Sequence, residues 1–452
     1  MQNTEEEFLN LRLSIIDTGG GKKRKRREEL NSCTQLGGDE GKKLIAFLQL
    51  RDQMLKLDPK RGGVEKGKGL HLIHLLLVLA TAVDEKKVGL AAENLSELYK
   101  CVALNGDSIQ RVAAYFADGL AARLLTRRSP FYDMIMKPPT ADEEFSAFTE
   151  LYRASPYYQF AHFTANQAIF EAFEEEEEHN SGSLHVIDFD VSYGFQWPSL
   201  IQSLSEKATS SSSRISLRIT GYGRSLGELI ETETRLASFA KSCHNLDFEF
   251  EGLLRGSKPI SLCVRKKESV VVNLVLYLHT LTSASQILET LKSVYSLNPS
   301  LVILVEQEGS RSNRSFLSRF MESLHYFAAM FDTLDDCLPP ESVERLCIEK
   351  NHFGKEIKDM VNCERGEECH LRYERLETWK DRMESIGFQG VSLSSRSLSQ
   401  AKLLLKIRSH CSQLEFGGGC GGFNVVERDG GRGLSLGWQD RYLITASAWH
   451  CQ

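Results

Sequence analysis

Residues 184–200 read LHVIDFDVSYGFQWPSL. The first six form a short, mostly apolar run in which Val186 and Ile187 are β-branched and no helical period shows. That composition suits a strand buried on both faces, as in a parallel sheet. Asp188 and Asp190 arrive at its end, Ser192, Tyr193 and Gly194 make a turn, and Trp197 and Pro198 open a helix. Proline is tolerated in a first helical turn, where its missing N–H has no partner to lose. Strand, glycine-containing turn and helix is how a nucleotide-binding α/β domain begins.

Downstream the same alternation repeats. Residues 214–220, 246–250, 269–278 and 301–305 read as strands, separated by helical stretches at 226–242 and 280–297. Such an alternation calls for a parallel sheet covered on both faces. Near the end, 423–428, a glycine-rich turn at 430–433, 434–438 and 442–449 read as an antiparallel hairpin at one sheet edge. The expected fold is α/β and Rossmann-like, with a class I methyltransferase-type sheet, an N-terminal helical cap and a C-terminal antiparallel hairpin. Residues 42–180 read as mainly helical and 181–452 as the α/β core. In the helical part, Asn105, Gly106 and Asp107 form a turn, with Asp107 or Ser108 as N-cap.

A chain of 452 residues can bury a large core or two domains. The net charge of −6 argues against a surface basic throughout, and leaves room for a local basic groove. No apolar run reaches membrane-spanning length, so no membrane association is expected. Eleven cysteines without regular spacing fit reduced thiols in a cytosolic or nuclear protein. Residues 1–41 read as a flexible basic arm carrying Lys22, Lys23, Arg24, Lys25, Arg26 and Arg27. Six like charges repel one another and do not pack; on such an arm they read as a nuclear import signal.

The ordered motifs resemble the plant GRAS family of transcriptional regulators, including its scarecrow-like members. His185, Val186, Ile187 and Asp188 match its VHIID signature. RSFLSRFMESLHYFAAMFDTLD through ETWKDRMESIGF resembles its PFYRE and early SAW regions, and Ser447, Ala448 and Trp449 its closing SAW motif. Leu76, Val83 and Leu90, seven apart, fall in the stretch that corresponds to its first leucine-rich region. Gly89 interrupts that run, so short packed helices suit it better than a zipper, with the three residues in the core or facing a partner. The resemblance implies a nuclear regulator that associates with other GRAS-type proteins and with DNA-bound transcription factors, with direct DNA contact as a further option. The arm is short for the family and lacks a DELLA-type stretch, which points towards the nodulation-signalling-like branch.

A methyltransferase-like enzyme or small-molecule sensor is the competing reading. A dinucleotide or S-adenosylmethionine site needs glycines where backbone approaches ligand. Here Gly194 stands alone among bulky Val191 and Tyr193, and Gly221, Tyr222 and Gly223 replace the acid expected after the second strand. No catalytic residue and no cofactor are expected. If a pocket survives, Asp188, Asp190 and Gly194 line it; otherwise the two acids cap the turn. Cys363, Cys369 and His370 lack the spacing of a zinc site and read as ordinary thiols and a histidine; no metal is expected.

Overall fold

A computed structural model describes residues 50–51, 54–55, 69–125, 127, 130–256, 265, 267–310, 315–363, 373–416 and 422–451. The basic run at residues 22–27 lies outside them. The chain divides into two compact units: one draws on residues 1–151 and 313–367, the other on 152–312 and 368–452.

The second unit is built on nine strands: β1 Ser183–Asp188, β2 Ile215–Gly223, β3 Leu246–Leu254, β4 Ser269–Val275, β5 Leu301–Gln307, β6 Phe388–Val391, β7 Phe423–Arg428, β8 Gly433–Trp438 and β9 Arg441–Cys451. Their order in the sheet is β3-β2-β1-β4-β5-β9-β8-β7, with β6 also on β9. The first five are parallel, and β9 enters antiparallel to β5. This is the Rossmann-like order with the antiparallel closing strand of class I methyltransferases. Strands β4 and β5 are buried along their whole length, as a central parallel sheet requires. The C-terminal hairpin of β7 and β8 turns through Asp429, Gly430 and Gly431, all at positive φ. Gly430 and Gly431 adopt that backbone without a Cβ penalty.

The first unit is helical. Its central helix, Ser108–Leu124, packs against Gly69–Asp84, Val88–Cys101, Phe316–Cys337 and Gly354–Asn362. Asp107 caps it in a reciprocal box: its carboxylate accepts from the Gln110 N–H at 2.8 Å, and the Gln110 side chain accepts from its own N–H at 3.1 Å. The buried face of this helix also carries charge. Arg111, 1% exposed, donates to Glu349 at 2.9 Å and Asp335 at 2.5 Å, and Arg345 donates to the same Glu349. Asp118 accepts hydrogen bonds from Arg51 Nε and Nη2 at 2.8 and 2.7 Å and from the Tyr99 hydroxyl at 2.6 Å. Each buried charge is therefore paired, the condition on which such groups are tolerated inside a protein.

The division differs from the expected break at 180/181. Residues 313–367 belong with the helices because the aromatic face of Phe316–Cys337 packs on the central helix, Phe116 meeting Phe320 edge-on at 5.2 Å. Helix Pro156–Glu175 belongs with the sheet, lying against β4, β5 and β9. The charged stretch at 341–383 is several pieces: Val343–Ile348, a π turn at Glu349–Phe353, Gly354–Asn362 and Leu376–Ile386.

Ser447, Ala448 and Trp449 lie on β9, in register with Leu304, Ile303 and Val302 of β5. Trp449 is 3% exposed, and its indole N–H donates to Ser447 Oγ at 2.9 Å. Ser447 in turn donates to the Leu304 carbonyl at 3.3 Å. The Ser447 hydroxyl thus satisfies the one polar atom of a core tryptophan. Ser447→Ala orphans that N–H and should cost about 1–3 kcal/mol in urea unfolding; an unchanged midpoint would show that the indole has another acceptor.

Candidate functional site

In an open parallel sheet, ligands bind where neighbouring strands send their connections to opposite sides, beyond the carboxyl ends. Here that point lies between β1 and β4, where Asp188 and Asn273 sit side by side in register. Two helices complete it. Pro156–Glu175, capped by Ser155, supplies Asn166; Trp197–Ser210, with proline in its first turn, supplies Trp197, and Gln196 immediately precedes it.

These five side chains form one buried network. Asn166 donates to the Gln196 carbonyl and to Ser199 Oγ, both at 2.7 Å. Gln196 Nε2 donates to Asn166 Oδ1 at 3.1 Å and to Asn273 Oδ1 at 3.0 Å. Asn273 Nδ2 donates back to Gln196 Oε1 at 3.2 Å and on to Asp188 Oδ1 at 3.0 Å. Trp197 Nε1 donates to Asp188 Oδ2 at 3.1 Å, and the Asp190 N–H to Oδ1 at 3.2 Å. The donated hydrogens converge on Asp188, whose oxygens receive all three. Burial pushes its carboxyl up to about 7; the bonds from Asn273, Asp190 and Trp197 pull the other way, and the nearby Asp190 charge adds to the rise.

The turn beyond β1 is equally occupied. Asp190 accepts from the Ser192 N–H at 3.2 Å and forms an ion pair with Arg255. Gly194 has φ +73°, and a Cβ there would stand 2.8 Å from Thr232 Cγ2, so the position demands glycine on two counts. Val191 is buried against Gly221, where a Cβ would come within 2.9 Å of its own. Phe189 lies between Tyr222 and Tyr277, 5.3 Å from each ring. Of the bulky residues of the turn, Phe195 packs on Tyr152 at 5.1 Å and Tyr193 takes a hydrogen bond from Arg224 at 3.2 Å. The site is thus filled with the chain's own side chains, and Asp188, Asp190 and Gly194 are all committed to internal contacts.

His185 and Ile187 point to the other face of β1, since successive side chains alternate. His185 is fully buried. Its Nδ1 faces Arg218 Nη2 at 3.0 Å; a guanidinium only donates, so Nδ1 accepts and the proton sits on Nε2. Nε2–H then donates to Thr220 Oγ1 at 2.9 Å, and Thr220 passes its own proton to Glu251 at 3.3 Å. Arg218 is anchored by Glu268 at 2.6 Å. Burial first, and the Arg218 charge second, lower the His185 pKa to about 4.

The other singled-out residues scatter. Leu76 and Val83 are core residues of Gly69–Asp84, whereas Leu90 stands on the next helix and is 45% exposed. They do not form one stripe. Cys363 is disulfide-bonded, where the sequence reading expects a thiol. Among the described residues no group of three His, Cys, Asp or Glu side chains could hold a metal ion. Sequence reasoning missed Asn166, Gln196 and Asn273, because nothing local marks an amide on a helix or strand as a network member.

The GRAS domain family matches residues 72–450. Scarecrow-like protein 23 of Arabidopsis thaliana is 38% identical over 394 residues, which cover 85% of this chain and 90% of that protein. The chain belongs to the GRAS domain family. The crystal structure of SCL7 from Oryza sativa superposes with a TM-score of 0.71 at 33% identity, covering 84% of this chain and 99% of that one. DELLA protein GAI1 of Vitis vinifera is 36% identical over 393 residues, 84% of this chain; the chain spans 62% of that protein's length. Identities of 38% and 36% do not separate a Scarecrow-like from a DELLA branch.

Two pH effects of opposite sign follow. Between about pH 4 and 7, folded Asp188 holds a proton that the unfolded chain has released, so its contribution to stability falls as pH rises through that window. Asp188→Asn removes this slope but sets an amide donor against a donor, at a cost of about 2 kcal/mol. Urea unfolding at about pH 5 and about pH 8 should show the gap between parent and variant narrowing at the higher pH; a constant gap would refute the raised pKa. For His185 the unfolded chain takes up a proton between about pH 6.5 and 4 that the folded site refuses, so stability falls as pH drops. His185→Gln keeps one acceptor and one donor, and its stability should fall less steeply over the same range.

Proposed function

We propose that this GRAS protein is a nuclear transcriptional regulator that works by associating with other regulators, and that it is not an enzyme. The observation that carries the reading is the state of the switch point: both oxygens of Asp188 are engaged by Asn273, Trp197 and the Asp190 N–H, and Asp190 is engaged by Arg255. A cofactor there would have to break bonds that are already made and leave buried donors unpaired, at about 1–3 kcal/mol each. Family membership supports the regulatory role.

Partners of the same family and DNA-bound transcription factors are the associates this reading names, with direct DNA contact as a further mode. Exposed apolar residues on the helical unit favour protein contact: Leu70 is 86% exposed and Leu90 45%. This reading assigns both to a partner-facing surface. Entry to the nucleus is assigned to Lys22, Lys23, Arg24, Lys25, Arg26 and Arg27. No helix among the described residues is long and apolar enough to cross a membrane.

Calorimetric titration of the full chain with S-adenosylmethionine should give no heat. Binding in the micromolar range, about −8 kcal/mol, would overturn the non-enzymatic reading. In plant cells, a fluorescent fusion should be nuclear and should become cytoplasmic when the six basic residues are changed to alanine. Leu90→Asp should leave folding intact and weaken co-precipitation of a second GRAS protein at least several-fold.

A further inference from the structure

At the carboxyl end of β5, Glu306 on the strand and Glu308 just past it reach the wall of a small cavity, about 10 Å³ in volume, that is lined also by Glu374, Trp379, Thr445 and Ser447. All six residues belong to the sheet unit. Three carboxylates around one space would repel each other if bare, but each has a cationic or ring partner. Glu306 accepts from the Leu278 N–H at 2.7 Å and faces His279 Nδ1 at 2.7 Å. Glu308 Oε1 accepts from Arg428, and Glu374 Oε1 from Arg382 at 2.8 Å.

The hydrogen-bonding inventory of the wall then decides what can sit there. Thr445 Oγ1 is shared between Glu308 and Ser435, each at 2.7 Å. The Ser447 hydroxyl donates to the Leu304 carbonyl and accepts from Trp449. Trp379 is 2% exposed, and its indole N–H has no hydrogen-bond partner among the described residues. Glu308 and Glu374 each bond through one oxygen only, among the described residues. The residues of the wall thus include one unused donor and, among the described residues, unused carboxylate oxygens.

An occupant must accept from an N–H and donate to a carboxylate. An anion has no proton to donate and meets three acids. An ammonium group has nothing with which to accept the indole N–H, and a metal ion would face that same hydrogen. An apolar occupant would leave the indole N–H unpaired. A hydroxyl oxygen meets both demands. The volume is at the lower bound for holding a single water, which needs two to four polar partners.

We propose that this cavity is the binding site of one internal water that accepts from Trp379 Nε1 and donates to the free oxygens of Glu308 and Glu374. It adds a hydrogen-bonded bridge between helix Leu376–Ile386 and the β5–β9 seam, which already share one apolar cluster through Trp379, Met383, Leu304 and Trp449. The water is part of the fold in this reading, and it explains why a tryptophan, not a phenylalanine, lines an acidic cavity.

Two measurements on the full chain test it. A crystal structure at high resolution should show one spherical peak at hydrogen-bond distance, about 2.8–3.0 Å, from Trp379 Nε1 and from Glu308 or Glu374. In solution, the four indole N–H signals are separable, and the Trp379 signal, assigned by its loss in Trp379→Phe, should show dipolar cross-relaxation with water. A cavity closed by a protein acceptor on the indole, a peak that is a metal or a larger molecule, or no cross-relaxation at Trp379 would each overturn the proposal.

Discussion

The switch point of the sheet is held by a run of hydrogen bonds in which each amide nitrogen is engaged twice. Asn166, Gln196 and Asn273 are amides, each with both donors and acceptors, and they could satisfy one another in several orientations. Asp188 removes that freedom. As the terminal acceptor it fixes Asn273 with its amide nitrogen towards β1; Asn273 then fixes Gln196, and Gln196 fixes Asn166. One carboxylate thereby sets the orientation of groups on two strands and two helices. In a low-dielectric interior a network of this kind is favourable only when complete, which makes it a specific device for holding those four elements in one arrangement.

The helical unit solves the same problem by a different means. Its central helix presents Arg111 and Asp118 to the interior, and each is met by charge of opposite sign. Two arginines converge on Glu349, which has no exposure at all; burial raises its pKa, and the flanking Arg111 and Arg345 oppose that rise. Glu349 begins the π turn Glu349–Phe353, whose end at Gly354 packs so closely on Tyr115 that a Cβ would come within 2.5 Å of its ring. Removing one partner would leave a buried charge uncompensated, the costly case for such pairs.

The amino-acid pattern made the architecture legible because its signals are local. The alternation of apolar runs with amphipathic stretches marks a parallel sheet, Asp107 before its helix marks a cap, and the glycines near 430 mark a turn; each of these needs only a few neighbouring residues. The division into units was not legible in this way. That Phe316–Cys337 packs on Ser108–Leu124 and Pro156–Glu175 on the sheet depends on contacts across hundreds of residues. Helix Ser395–Phe416 escaped notice for a related reason: serines and basic residues interrupt its apolar positions, and Leu403 and Ile407 remain more than half exposed. The candidate site was half legible. Asp188 and Gly194 stand out at the end of a strand, but the amides that claim Asp188 become visible only once the register of β1 against β4 is known.

The VHIID-like stretch can be read the same way, residue by residue. On a strand its four positions alternate between two faces. Val186 and Asp188 look towards the helices that carry Asn166 and Trp197, and Asp188 is the acceptor on which that side closes. His185 and Ile187 look the other way, Ile187 into the core with Val272 and Trp379, and His185 into the Arg218–Thr220–Glu251 chain. Each face thus receives one apolar and one polar anchor from consecutive residues. A histidine whose acceptor nitrogen meets Arg218 and whose donor nitrogen meets Thr220 cannot be replaced by a residue that only donates or only accepts. An aspartate receiving three hydrogens cannot become an amide without a donor facing a donor. The motif is therefore accounted for by packing and hydrogen-bond direction on the two faces of one strand, with no ligand required to explain any of its four residues.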